Sequence, residues 1–223
     1  MKKIAILLIF TLLLSSVAFA TDGVIRNKPN GQKLIALTFD DGPHEKFTNE
    51  ILNILDEYGV KATFFIIGEN AEKHPEIVKK IHDLGHEIGN HTYSHIFINK
   101  VSKNSLKSEI MKTEEILEKI TGQKPKLFRP PGGAYNNSCV STLNELGYSC
   151  ILWSFDSRDW TLPDASKVIS EATYKTKEGD ILLFHDFNQK GSPTPTIIKT
   201  IIPLLINSGF KFVTVSELIN FIE

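Results

Sequence analysis

Two cysteines, two methionines and two tryptophans are all that this chain of 223 residues contains of those types. So few thiols exclude a disulfide-stapled scaffold. Cys139 and Cys150 alone make a poor zinc set; after export they either close one bridge or stay as two buried thiols. Neither sign of charge dominates. Lys and Arg number 25 against 26 Asp and Glu, a formal net charge of −1, whereas a nucleic-acid partner would favour a clear basic excess. Low-complexity tracts and composition shifts that would mark a second domain are missing as well. At 41% hydrophobic and 23% charged residues, the composition suits one domain with a sizeable core.

The first twenty residues stand apart. Met1-Lys2-Lys3 is a positive start, residues 4–14 are apolar, and Ala18-Phe19-Ala20 is a small-residue cleavage site before Thr21, the pattern of a secretory signal peptide. The alternative is an uncleaved anchor, because the apolar run is near the lower limit for spanning a bilayer. Either way the rest of the chain is expected outside the cytoplasm, secreted or on the cell envelope. No cysteine near the cleavage site offers a lipid attachment point. Residues 21–32 are polar, with Asn27, Pro29, Asn30 and Gly31, and read as a short arm before a domain over 33–223.

From residue 33 onward, short apolar runs alternate with amphipathic stretches. Strands are predicted at 34–39, 62–67, 86–89, 126–129, 149–155, 180–184 and 211–214. Helices fall between them at about 48–58, 71–84, 105–121, 137–146, 164–174 and 194–207, with a short one from 216. Gly59, Gly85, Gly122, Gly147 and Gly209 stop successive helices. Seven strands alternating with helices imply parallel pairing and right-handed crossovers, hence an α/β barrel or an open doubly wound sheet.

In such folds, reacting residues gather where strands end. Asp40 and Asp41 follow the first predicted strand, His91 and His95 the third, Arg129 the fourth, Asp156 and Asp159 the fifth, and His185 the sixth. Two adjacent carboxylates at a buried strand end are costly unless a cation or a reacting proton is expected there. An Asp-Asp-Gly-Pro turn capping the next helix is the plainer explanation. His91 and His95, four residues apart on a helical turn or a tight loop, can face one point and with Asp41 form a two-histidine, one-carboxylate set with open coordination positions. Both histidines could equally be loop residues bonded to backbone. His44, His74, His82 and His86 have no comparable partners and read as surface or packing residues.

Five segments carry a resemblance: Thr38-Phe39-Asp40-Asp41-Gly42-Pro43, His91-Thr92-Tyr93-Ser94-His95, Arg129-Pro130-Pro131-Gly132-Gly133, Asp156-Ser157-Arg158-Asp159-Trp160 and Leu182-Leu183-Phe184-His185-Asp186. In this order they resemble the motifs of the polysaccharide deacetylases of carbohydrate esterase family 4, the NodB-homology domain, from about residue 33 to the C-terminus. The resemblance implies a single-domain distorted (β/α)7 barrel of parallel strands. It implies Asp40 as general base oriented by Arg129, and Asp41, His91 and His95 as ligands of a divalent metal, zinc first, with cobalt, nickel or manganese as alternatives. His185 would be the general acid, supported by Asp159. Pro131, Gly132, Gly133, Trp160 and Leu183 would shape the sugar site, with the backbone N–H after Pro131 facing the oxyanion.

The implied activity is hydrolysis of the acetamide of N-acetylglucosamine units in a polysaccharide or oligosaccharide, peptidoglycan ahead of chitin, by a monomer without nucleic-acid partners. An O-deacetylase of acetylxylan, a non-catalytic carbohydrate-binding barrel and a metal-free two-carboxylate glycosidase are the competing readings. Two departures from the family pattern bear on substrate range. Gly132 stands where many relatives carry an aromatic residue, which implies a smaller wall, and Ile96 stands where proline is common.

Overall fold

The computed structural model describes residues 23–29, 31–187 and 191–221. The segment read as a signal peptide lies outside them. Nine strands, β1 (Val24–Ile25), β2 (Leu34–Asp40), β3 (Thr63–Ile66), β4 (Glu87–Asn90), β5 (Leu127–Phe128), β6 (Ser149–Ile151), β7 (Phe155–Asp156), β8 (Ile181–His185) and β9 (Lys211–Val213), form one sheet; eight run in the order β1-β6-β5-β4-β3-β2-β8-β7, and β9 pairs with β2 off this path. Every strand pairing is parallel. The helices are α1 (Phe47–Glu57), α2 (Gly68–Lys73), α3 (Pro75–Asp83), α4 (Lys103–Thr121), α5 (Asn137–Glu145), α6 (Ala165–Lys175), α7 (Thr194–Asn207) and α8 (Val215–Ile219).

Strand β2 is buried along all seven residues, and period-2 alternation divides them between two environments. Ile35, Leu37 and Phe39 pack with the helix layer, among Leu52, Leu55, Ile198 and Ile202. Leu34 and Ala36 point the other way, into a cluster with Phe65, Leu127, Ile151 and Ile181 that fills the barrel interior. Thr38 and Asp40 continue the interior parity. The same alternation runs through β8, where Leu182 and Phe184 join the helix layer and Ile181 the interior. Parity therefore puts Leu183 and His185 inside. After Leu127 it puts Arg129 there too. Burying each large apolar side chain contributes roughly 1.5–3 kcal/mol, so a one-residue slip of these strands is strongly disfavoured.

Three expectations are corrected. The strand expected over 149–155 is two strands: β6 pairs with β5 and β1, whereas β7 pairs with β8. One chain segment thus passes from one edge of the sheet to the other, and residues 152–154 bridge the seam, which is the distortion in this barrel. Arg129 makes the break tolerable, because its Nε and Nη2 donate to the carbonyls of Ile151 and Leu152, at 3.4 and 3.0 Å. The helix expected over 71–84 breaks at His74, whose φ of −133° and ψ of 55° suit a residue before proline, and Pro75 opens α3. The arm over 21–32 is more than a linker, since Val24 and Ile25 pair with Cys150 and Ile151.

Cys139 and Cys150 are free and buried. Of the spare histidines, His86 is buried and accepts the Ala62 N–H at 3.2 Å, while His44 accepts from Lys46 and Phe47 N–H at 3.1 and 3.3 Å at the start of α1. No described helix is long and apolar enough to cross a membrane.

Candidate active site

Asp40 ends β2 beneath the barrel mouth, 3% exposed. Its Oδ1 accepts from Arg129 Nη1 at 2.7 Å, and the same nitrogen reaches Thr38 Oγ1 at 2.7 Å. The Thr38 hydroxyl donates to the Leu182 carbonyl at 2.8 Å, so the contact with Arg129 uses the same oxygen as acceptor. The guanidinium is fully buried, with the Phe65 ring 4.0 Å from its carbon. Burial pulls the Arg129 pKa down while Asp40 opposes the shift, and arginine keeps its proton throughout. A fixed positive charge therefore sits under one oxygen of Asp40. The other oxygen faces the metal set, 3.8 Å from His91 Nε2.

Asp41 leaves the strand with φ 77°, a left-handed conformation that costs an aspartate little compared with other side chains. The turn is held by Asn70 Nδ2, which donates to the Asp41 carbonyl at 2.7 Å, and by the Ile67 N–H, which donates to the Gly42 carbonyl at 3.1 Å. Gly42 has no room for a side chain: a Cβ there would lie 2.1 Å from Asp186 Oδ2. His91 and His95 occupy a tight loop after β4 rather than a helical turn, with Thr92 at φ 67° and His95 at φ 56°. Strain of this kind persists only where neighbours over-determine the backbone. Here α2 donates Gly68 and Glu69 N–H groups to the Thr92 and Tyr93 carbonyls, and Glu109 of α4 accepts from Tyr93 N–H, Ser94 N–H and Ser94 Oγ at 2.8–2.9 Å.

The three ligand atoms of Asp41, His91 and His95 lie within 4.8 Å of one another. His91 Nδ1 lies 2.7 Å from the Arg129 carbonyl, which can only accept, so Nδ1 carries the proton and Nε2 presents its lone pair. That Nε2 lies 3.3 Å from Asp41 Oδ1, and His95 Nε2 lies 3.2 Å from the same oxygen. Asp41 Oδ1 is buried and accepts no well-formed hydrogen bond. Converging acceptors around an orphaned carboxylate oxygen fit a divalent cation. Burial works against the charge on Asp41, but without a cation the imidazoles in their protonated form outweigh it and hold the carboxyl well below the usual carboxylate range, while Asp41 raises His95.

Across the cleft, His185 Nδ1 bonds Asp159 Oδ1 at 2.7 Å. Asp159 also accepts from the His185 N–H, the Trp160 N–H and Thr194 Oγ1, and it is buried. Burial alone would lower the His185 pKa; Asp159, with Asp40 and Asp41 beyond it, overcomes burial and raises it to about 9. A cleft of about 370 Å³ is lined by Asp40, Asp41, His91, His95 and His185, with Leu183, Gly132 and Trp160 among its other walls. Pro131 and Gly133 do not line it. Pro131 is buried, and a Cβ on Gly133 would lie 2.9 Å from Trp153.

Sequence reasoning missed several supports. Thr38, Asn70, Glu109, Thr194 and Trp153 stand outside any spacing pattern, and only contacts reveal them. Asp186 sat within a quoted segment without a role; it is buried, receives the Thr48 hydroxyl at 2.6 Å and backs the Gly42 turn. The expectation of a smaller wall at Gly132 is met by another residue. Phe97, which also lines the cleft, brings its ring edge to 3.0 Å from where a Gly132 Cβ would be.

An open cation set beside a held carboxylate and a held imidazole is the equipment of a metal-dependent hydrolase. Residues 27–151 match the family described as polysaccharide deacetylase, and the chain belongs to that family, carbohydrate esterase family 4 with the NodB-homology domain. A peptidoglycan-N-acetylglucosamine deacetylase of Bacillus cereus is 40% identical over 195 residues, covering 86% of this chain and 91% of that protein. The crystal structure of the Bc1960 peptidoglycan N-acetylglucosamine deacetylase is 38% identical, with a TM-score of 0.84, over 88% of this chain and 92% of that one. A CE4 family pseudoenzyme from Bacillus anthracis superposes almost as well. Its TM-score is 0.83 at 28% identity, over 90% of this chain and 70% of that one. Fold and family therefore do not by themselves decide activity; the residues in the cleft do.

Proposed function

We propose that this protein is an exported N-deacetylase that hydrolyses the acetamide of N-acetylglucosamine units in peptidoglycan, releasing acetate and a free amino sugar. The observation that carries the reading is the convergence of three complete units on one cleft: Asp40 with Arg129, Asp41 with His91 and His95, and His185 with Asp159. A scaffold that only bound carbohydrate would not need all three.

Asp41, His91 and His95 would hold the cation, with zinc the best match to two imidazoles and a carboxylate in an open set. When bound, it supplies Lewis-acid polarisation of the acetyl carbonyl and a water acidified for attack. Asp40 is placed to take a proton from the attacking water on the oxygen that faces the metal set, while Arg129 holds and orients the other oxygen. The oxyanion needs a donor from the protein. Pro130 and Pro131 carry no N–H, so Gly132 is the first residue of its loop able to donate, and its N–H takes no backbone acceptor among the described residues. An amine is a poor leaving group and departs only when protonated. His185, charged at neutral pH because Asp159 holds its other nitrogen, delivers that proton.

Acetate release from purified peptidoglycan, before and after chelation and zinc replacement, tests the assignment. Zinc-dependent release that Asp40→Asn abolishes is the expected result. Release untouched by chelation overturns the mechanism, and faster release from acetylxylan than from peptidoglycan reassigns the substrate to an ester.

A further inference from the structure

Two exposed aromatic side chains line the same cleft. Trp160 is 57% exposed and Phe97 is 47% exposed; both line the cavity that contains the cation set and His185. Trp160 already belongs to the site reading. Phe97 does not. It lies two residues beyond His95, in a segment without an expected role.

Phe97 is presented rather than left loose. Its neighbour Ile98 is 1% exposed in the cluster beneath α4 and α5, and the Ile98 carbonyl accepts from Cys139 Sγ at 3.3 Å. The Phe97 carbonyl accepts the Lys100 N–H at 3.0 Å, and Lys100 Nζ sits 5.0 Å from the ring centroid. On its inner side the ring reaches the Gly132 loop. With φ 60°, that glycine has no side chain to occupy the space. A buried neighbour in the chain and a bare glycine beside the ring fix an exposed aromatic in the wall of the cleft. An apolar ring face held in this way suits the C–H face of a pyranose, as Trp and Tyr do at sites where one side of the ligand is apolar and its rim is polar.

We propose that Phe97 is a substrate-binding and specificity-determining residue: it forms a second aromatic wall of the cleft that Trp160 also lines, and stacks on a sugar ring next to the one that reacts. The inference rests on the deacetylase reading for the class of ligand and deepens it. Two consequences follow from the geometry. Because the wall covers a ring beside the reacting one, Phe97 favours oligomers over short substrates. Because the wall belongs to the segment that carries His95, sugar stacking and the cation loop share one rigid support.

The test compares wild type, Phe97→Ala and Phe97→Trp, all zinc-loaded. Acetate release from an N-acetylglucosamine tetramer and dimer gives KM and kcat, and tetramer binding is measured by calorimetry in an Asp40→Asn background to prevent turnover. Phe97→Ala is expected to raise KM and Kd for the tetramer about tenfold, with a smaller change in kcat, a weaker effect on the dimer, and recovery in Phe97→Trp. Zinc titrations of the three proteins separate stacking from support of the cation loop. An unchanged tetramer KM and Kd in Phe97→Ala, or a loss that tracks weakened zinc affinity, overturns the proposal. If wild type binds the tetramer through Phe97 but releases no acetate, the deacetylase reading fails and the stacking role stands. If acetate is released and Phe97→Ala changes nothing, the reverse holds.

Discussion

Arg129 lies wholly inside the barrel with Nη1 2.7 Å from Asp40 Oδ1, and it is the cation that permits a carboxylate to sit there almost without water. The same guanidinium satisfies the carbonyls of Ile151 and Leu152 where the sheet breaks, so the hold on Asp40 and barrel closure share one side chain. Replacing Arg129 with alanine is expected to destabilise the fold by about 3–5 kcal/mol, since it leaves a buried charge unpaired. Lysine keeps the charge but lacks the fork, and should recover only part of that loss. Urea unfolding of both variants checks the order.

His185 carries a pKa raised to about 9, and the sign of its pH dependence follows. In its proposed role of general acid it must be protonated, so activity is expected to fall as pH rises through about 9. Its pairing with Asp159 likewise stabilises the fold fully below the unfolded pKa of about 6.5, and that contribution disappears as pH rises through the folded value. Asp159→Asn removes the carboxylate and should move the alkaline limb of the rate profile toward the ordinary imidazole value. A pH profile of kcat with and without the substitution reads this shift directly. An alkaline limb that does not move removes Asp159 from the role.

Asp41, His91 and His95 converge only in the folded chain and would bind the cation there, so zinc should raise thermal stability. At a free concentration about 100 times Kd the gain is about 2.7 kcal/mol. Asp41→Ala is expected to abolish the zinc-dependent rise in Tm together with activity. Calorimetric melts in chelator and in zinc measure both proteins.

Glu109 takes no part in the chemistry, yet its carboxylate receives Tyr93 N–H, Ser94 N–H and Ser94 Oγ, all in the loop between the two ligand histidines. Glu109→Ala frees that loop and is expected to weaken zinc binding roughly 10- to 100-fold, with kcat largely kept once zinc is saturating. Competition with a chromogenic chelator gives the affinity.

Gly42→Ala adds a methyl group that would lie 2.1 Å from Asp186 Oδ2, next to the residue that binds the cation. Relief requires moving Asp186 or the Asp41 turn, which is expected to cost about 1–3 kcal/mol and most of the activity. Asp186→Ala in the same protein should return part of the stability by making room. Thermal melts of the single and double variants show whether the two positions couple.

Much of the site was legible because strand parity is local. Alternation in residues 34–40 and 181–185 assigns Asp40 and His185 to the same side of their strands as the interior residues Leu34, Ala36 and Ile181, and the Asp-Asp, His-x3-His and Asp-Trp spacings survive in a single chain. The seven-strand rhythm was legible for the same reason. Residues 149–155 were not: their apolar run reads as one strand, and only the need to reach both edges of a closing sheet splits it.

The sequence by itself determined which residues could do the chemistry and on which face of each strand they stand, because side-chain type and period-2 geometry need no distant partner. The tertiary structure alone decided how they are held. Arg129 under Asp40, Thr194 on Asp159, Glu109 on the cation loop and Phe97 over Gly132 join segments far apart in the chain. Such pairings arise only when the strands close around one interior, and no local pattern records them.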